Sequence, residues 1–187
     1  MNDRIATIAA PGTRAVAIRV VIVGIFIGLA GAGACAIGNL RINLTLSEPL
    51  GLWRIVPLEG PVKVSDLVFI CPPDNPAMRA AWSRGYLRSG LCEGGFAPLI
   101  KTAIAGPGQD VAVAQGVRID GRPVNSSRVR ARDGKGRTLS PYAGGTVPPS
   151  MVFLHSNFSA SFDSRYFGPL PASGILGLAE PVLTYAP

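Results

Sequence analysis

Few side chains in this 187-residue sequence can do nucleophilic or acid–base chemistry, and their scarcity narrows the options. His155 is the one histidine, so any serine–histidine–carboxylate triad must use it. It closes an apolar run, Val152-Phe153-Leu154-His155, where a histidine more often packs or ends a strand than catalyses. Three lysines occur, and Lys63 and Lys135 stand among Pro, Gly and polar residues, as solvated charges do. Lys101 differs: Ala-Pro-Leu-Ile precedes it and Thr-Ala-Ile-Ala follows. On a half-buried strand a lysine loses hydration, which disfavours the ammonium and lowers its pKa. An amine that is neutral at about pH 7–8 can take the proton of a serine hydroxyl, the serine–lysine form of nucleophile activation. The same pattern fits an edge-strand lysine whose ammonium reaches water. Thirteen serines are available as nucleophile, and spacing alone does not choose among them.

Other chemistries find fewer residues. Apart from Cys35, which lies in an apolar run, the cysteines are Cys71 and Cys92, too few with one histidine for a zinc site. No G-x-S-x-G elbow, H-E-x-x-H or Walker sequence occurs, so neither a metal nor another cofactor is expected. The formal net charge of +7 is spread thinly, except at Arg128, Arg130 and Arg132. These alternate with apolar or small residues, as on the solvent face of a strand. Nucleic-acid binding, which wants a broad basic surface with interleaved aromatics, is not expected. Attraction to anionic lipid headgroups stays open.

The elements that must position Lys101 are short and β-prone. Runs at Leu52–Pro57, Ser65–Ile70, Leu99–Ala105, Asp110–Ala114, Val117–Ile119, Val124–Asn125, Val152–His155 and Gly174–Leu178 are separated by Pro, Gly, Asn and Asp clusters. Val117 to Val124 carries an Asp120-Gly121 turn between alternating residues, a hairpin pattern. Seventeen prolines and 23 glycines argue against long helices in this part. Asn75 to Leu87 is the exception: Pro76 can open a helix with Met78, Ala81 and Trp82 on one face. Arg130 to Gly145 reads as a surface excursion.

Ahead of these runs, Val20 to Leu40 holds no charged residue. As a helix such a stretch covers about 30 Å, the hydrocarbon thickness of a bilayer. Its apolar core is longer than that of a cleavable secretory signal, which favours an uncleaved anchor. Arg4, Arg14 and Arg19 precede it against Asp3 alone. The positive-inside rule then puts residues 1–19 in the cytoplasm and 41–187 outside. In an exported domain Cys71 and Cys92 can persist as a disulfide. Bridging them closes a loop of about 20 residues, worth about 3 kcal/mol.

Three separated blocks supply what spacing does not. They are N-L-T-L-S-E-P-L-G-L-W-R at 43–54, P-L-I-K-T-A-I-A-G-P-G at 98–108 and S-N-F-S-A-S-F-D-S-R-Y-F-G-P at 156–169. In order, after a single apolar span, they resemble the nucleophile, lysine and final boxes of the signal peptidase family. The likeness is greatest to its conjugative-transfer branch of TraF-type pilin-processing peptidases. It covers the chain from the span to the C-terminus. The implied fold is all-β, of coiled antiparallel sheets, with one N-terminal transmembrane helix and a short helical insert at 71–98. The resemblance implies Ser47 as nucleophile and Lys101 as its base. It implies an oxyanion hole made by the Ser47 N–H and the Thr45 hydroxyl. Ser161 would hydrogen-bond the Lys101 amine, and Asp163 and Arg165 would pair to hold the final box beside the dyad. Cys71 and Cys92 resemble a cysteine pair of the conjugative branch, flanking an insert whose Trp82 and Tyr86 could wall the substrate cleft. Two departures stand beside the site: Thr102 replaces a basic residue, and the acid of a Pro-Gly-Asp turn comes one position late, at Asp110.

The family's substrate is a membrane-inserted protein precursor, here a pilin-like subunit met in a conjugative secretion apparatus. The location implied is the bacterial cytoplasmic membrane, with the catalytic domain in the periplasm and the lipid bilayer as a second partner. A general leader peptidase and a non-catalytic envelope scaffold are the rival readings. Both would share the fold.

Overall fold

The computed structural model describes residues 13–37 and 39–185, and the chain divides between Asn39 and Leu40 into two units. The first holds helix α1 (Thr13–Ile37), onto which the uncharged run of residues 20–40 falls as far as Ile37. Residue 38 and residues 1–12 of the expected cytoplasmic tail lie outside the described residues. So do the side chains at 27, 29–32 and 34–37, which make up much of the expected span. Among the described residues no helix is long and apolar enough to cross a membrane.

The second unit is mostly β. It opens with β1 (Leu40–Asn43), β2 (Leu50–Val56) and β3 (Leu67–Ile70). Helix α2 (Pro76–Ser83) interrupts before β4 (Leu99–Ala105), β5 (Asp110–Val113), β6 (Val117–Ile119) and β7 (Arg122–Pro123). Then come β8 (Gly145–Thr146), β9 (Met151–His155), the single-turn α3 (Ser164–Phe167), β10 (Leu170–Pro171) and β11 (Ile175–Tyr185). Among the described residues the strands pair antiparallel, in a seven-stranded sheet ordered β1-β2-β11-β3-β4-β9-β10 and a four-stranded sheet ordered β7-β6-β5-β8. Leu40 therefore begins a strand and does not end the apolar helix. Arg128 and Arg130 lie on irregular chain, with Arg132 forming a lone bridge to Thr138, so the expected strand face is absent there. All three arginines are exposed.

Period-two alternation distributes β4 and β9 over separate cores. Val152 and Leu154 join Val68, Ile70, Met78, Ala81, Phe96 and Ala103 in one cluster. Phe153, between them, packs with Ala105, Val111, Val117 and Val147 in another. Ile100 joins Trp53, Ile55 and Phe69 in a third. A strand buried on both faces leaves nowhere for a charge to reach water cheaply. Lys101 lies opposite Val68, which is 0% exposed, and on the same face as Ala103.

Helix α2 starts where Asn75 accepts a hydrogen bond from the Met78 N–H at 2.9 Å, with Pro76 following. It stops short of the expected Leu87 because the chain turns at Gly85, φ 81°. Cys71, just after β3, is bonded to Cys92 across a Cα–Cα distance of 5.5 Å, which ties the base of the insert. Gly51 explains the glycine of the nucleophile box. Its φ is 130°, and a Cβ there would stand 2.2 Å from the Leu183 carbonyl oxygen on β11. Gly51→Ala is accordingly expected to cost about 3 kcal/mol through the clash and backbone strain. Urea unfolding of the variant against the parent chain checks this.

Candidate active site

Two hydrogen-bonding centres shape the loop between β1 and β2. Asn43, 7% exposed at the end of β1, turns its side chain into the loop. Its Nδ2 donates to the carbonyls of Thr45 (2.9 Å), Glu48 (2.9 Å) and Pro49 (3.0 Å). Its Oδ1 accepts from the Thr45 N–H at 3.0 Å and the Thr45 hydroxyl at 2.7 Å. Three carbonyl partners fix which end of the amide is nitrogen. Trp53, itself 2% exposed, donates Nε1–H to the Pro49 carbonyl at 2.9 Å and secures the loop's far end. Ser47 stands half-buried between, its Oγ 3.3 Å from Thr45 Oγ1.

In the resting geometry the Thr45 hydroxyl is engaged within the loop. A hydroxyl carries one proton, and that of Thr45 is given to Asn43. Toward Ser47 it can only accept, so the resting Ser47 hydroxyl donates to Thr45. The Ser47 N–H donates to no backbone acceptor among the described residues and remains available.

Lys101 is 2% exposed on β4. Burial pushes its pKa down from 10.5 to about 8, while Asp163 and then Glu48 resist the fall and Arg165 adds to it. Glu48, the residue after Ser47, is in turn raised by its own burial and lowered by Lys101. These mutual effects bring the nucleophile loop, Lys101 and the Asp163–Arg165 pair into one electrostatic cluster. Ser47 Oγ and Lys101 Nζ are not hydrogen-bonded to each other.

Asp163 and Arg165 are both 0% exposed and fully engaged. Asp163 accepts Arg165 Nε–H at 2.7 Å and Nη2–H at 2.8 Å, a two-point ion pair. The remaining Arg165 donors reach the Arg128 carbonyl at 2.7 Å and the Ser161 carbonyl at 3.1 Å. Asp163 also caps α3 through the Arg165 N–H and accepts the Ser156 N–H at 3.2 Å. Ser161 is brought here by its backbone. Its hydroxyl is buried without a partner among the described residues, so the bond expected from it to Lys101 is not made. His155, 2% exposed, is held neutral chiefly by burial, and its Nε2 likewise has no partner among the described residues.

Beside Ser47 runs a cleft of about 170 Å³ lined by Ile42 to Thr45 on one side and Ala97 to Ile100 on another. Tyr86, Arg88 and Ser89 of the insert close it. It shares Ile42, Asn43, Ala97, Pro98 and Ile100 with a wider apolar hollow of about 410 Å³, walled by Cys71, Cys92, Phe69 and Leu176. The insert thus walls the cleft through Tyr86. Trp82 instead packs edge-on against Phe96 at 6.2 Å.

The sequence family model for signal peptidase, peptidase S26, matches residues 13–184. The chain belongs to the signal peptidase family. It is 57% identical over 168 residues to a conjugal transfer protein TraF of Agrobacterium fabrum, covering 87% of this chain and 96% of that protein. A probable conjugal transfer protein TraF of Sinorhizobium fredii is 65% identical over 150 residues, 80% of each chain. A plasmid transfer protein TraF of Escherichia coli is 38% identical over 174 residues, 91% of this chain and 96% of that one. Among solved structures, a signal peptidase I of Enterococcus faecalis matches 64% of this chain and 97% of its own, at 19% identity and TM-score 0.39.

Asn43 and Ser156 are members of this candidate site that motif reading passed over. Asn43 had a signal, an Asn two residues before a Thr at a strand end, where Asn side chains commonly bond nearby backbone. Ser156 had none, because its partner lies 109 residues away. The buried charges generate opposite expectations. Lys101 titrates lower folded than unfolded, so the unfolded chain binds more protons between about pH 8 and 10.5 and stability rises across that window. Below it the cost, about 3 kcal/mol at most, stands in full. Lys101→Met should therefore stabilise the chain at pH 7 and lose most of that gain by pH 10.5. Arg165→Met, which strands Asp163, should cost about 3–5 kcal/mol. Urea unfolding of both variants at the two pH values reads both effects.

Proposed function

We propose that the chain is a serine–lysine endopeptidase that cuts a membrane-inserted precursor. In this reading Ser47 is the nucleophile and Lys101 its general base. The observation that carries it is a lysine amine buried on a central strand, shifted toward neutrality, in the same cluster as a loop built around one serine. The Ser47 proton leaves Thr45 for Lys101 as Oγ attacks the scissile carbonyl. The Ser47 N–H meets the developing oxyanion, a contact typically worth about 10²–10³ in rate. Lys101 then returns its proton to the leaving amine, and water releases the acyl group from Ser47.

Two unpaired strand edges support an extended substrate. β1 is the outermost strand of its sheet. On β4, pairing to β9 begins at Thr102, which leaves Leu99 to Lys101 unpaired on that side. A peptide laid along the cleft would add a strand there. The cleft beside Ser47 suits small residues before the cut, such as Ala-x-Ala.

The uncharged run of residues 20–40 supports a membrane anchor, with the peptidase unit on the periplasmic face of the bacterial cytoplasmic membrane. Ile42 (67%), Leu44 (65%) and Leu183 (75%) are exposed around the nucleophile loop, an apolar rim suited to a bilayer surface. An anchored enzyme and an inserted precursor share one plane, which raises their effective concentration. Likeness to conjugal transfer proteins supports a place in a conjugative apparatus, and the precursor in this reading is a pilin-like subunit.

Cleavage of such a precursor in detergent or vesicles tests the assignment. Ser47→Ala and Lys101→Ala should each abolish processing while the parent chain cuts. Because the base must be neutral, the parent's rate should climb with pH through about 8 and level above it. Full processing by Lys101→Ala, or a rate flat from pH 6 to 10, contradicts the dyad.

A further inference from the structure

Ser156 is 1% exposed at the end of β9 and makes three directed bonds. Its N–H goes to Asp163 Oδ2 at 3.2 Å, and its Oγ accepts the Phe158 N–H at 3.2 Å. Its one hydroxyl proton goes to the backbone carbonyl of Ser47. A carbonyl only accepts, so the direction of that bond is settled by chemistry. We infer that Ser156 is a positioning residue for the nucleophile, clamping the Ser47 carbonyl from the final box. This rests on the peptidase reading above.

The need for such a clamp follows from topology. Ser47 hangs on the β1–β2 end of the seven-stranded sheet, whereas Ser156 directly follows β9, with β11, β3 and β4 between β2 and β9. The sheet must curl for the two to meet, and their bond ties the nucleophile loop to the strand paired with β4. Asn43 holds the loop from inside, through the Thr45, Glu48 and Pro49 carbonyls, and leaves that of Ser47 free. Ser156 takes that remaining group. It thereby sets the plane of the Ser47–Glu48 peptide and, through ψ of Ser47, the aim of the Ser47 N–H and Oγ. The same serine receives its own orientation from Asp163, so the buried ion pair is coupled to the nucleophile by one intervening residue.

The contact touches no substrate, so its loss should appear in kcat and not in KM. Ser156→Ala, assayed with the full chain and a precursor that the parent cleaves, should lower kcat by about 10–100-fold with KM within about two-fold. Ser156→Thr, which keeps the hydroxyl, should restore kcat to within about five-fold. Ser156→Cys, near in size with a weak donor, should fall between and serves if the alanine variant does not fold. Amide exchange of the peptide spanning residues 44–50 should quicken in the alanine variant and return in the threonine one, whether or not a substrate is cut. An alanine variant with the parent's kcat, a loss confined to KM, or no recovery with threonine overturns the inference and leaves the dyad standing. A Ser47→Ala chain that still cleaves overturns the dyad and this inference with it.

Discussion

Burying the Lys101 amine is the constraint around which the rest of this domain is arranged. Water stabilises an ammonium strongly, and a site that excludes water on a strand packed on both faces raises the cost of the charged form. Asp163 and Glu48 supply opposite charge, but desolvation outweighs them and the amine is left near its neutral point. Arg165 adds a smaller push in the same direction as burial. It also binds at two points the Asp163 carboxylate, which resists the fall more than Glu48 does. The ion pair is therefore more than a structural staple, since both of its members act on the lysine's charge.

In the proposed dyad a buried base is useless unless a nucleophile reaches it, and the sheet order sets Lys101 on β4 well away from the β1–β2 loop that carries Ser47. The crossing of β2 and β11 at Gly51 and the contact of Ser156 with the Ser47 carbonyl bring the ends together. Asn43 then shapes a loop that would otherwise have unpaired backbone groups. The insert, tied at its base by Cys71 and Cys92, adds a wall to the cleft.

Much of the fold was legible because alternation and turn residues are local signals. β4 and β6 match the β-prone runs to the residue, and Asn75-Pro76 marks the start of α2. β1 was hidden since its first residue continues an apolar run, and β11 runs to Tyr185, well past the expected Leu178, because cross-strand pairing to β2 sustains a weakly β-prone stretch. At the site, Lys101 was legible as the lysine in an apolar strand, whereas Ser47 needed its box. The proton commitments were not legible. Thr45 faces Asn43 as donor, and Ser161 lacks the expected bond, because such choices depend on which groups converge in space. The span of residues 20–40 rests on hydropathy alone.

The state of one amine decides the account. With three lysines in the chain, labelling lysine at the ε-carbon gives a spectrum in which each can be followed through pH. A Lys101 resonance that titrates near pH 8, and vanishes in Lys101→Met, agrees with a base prepared by burial and balanced charge. A Lys101 resonance that titrates with the other two, at the ordinary lysine value of about 10.4, would contradict it.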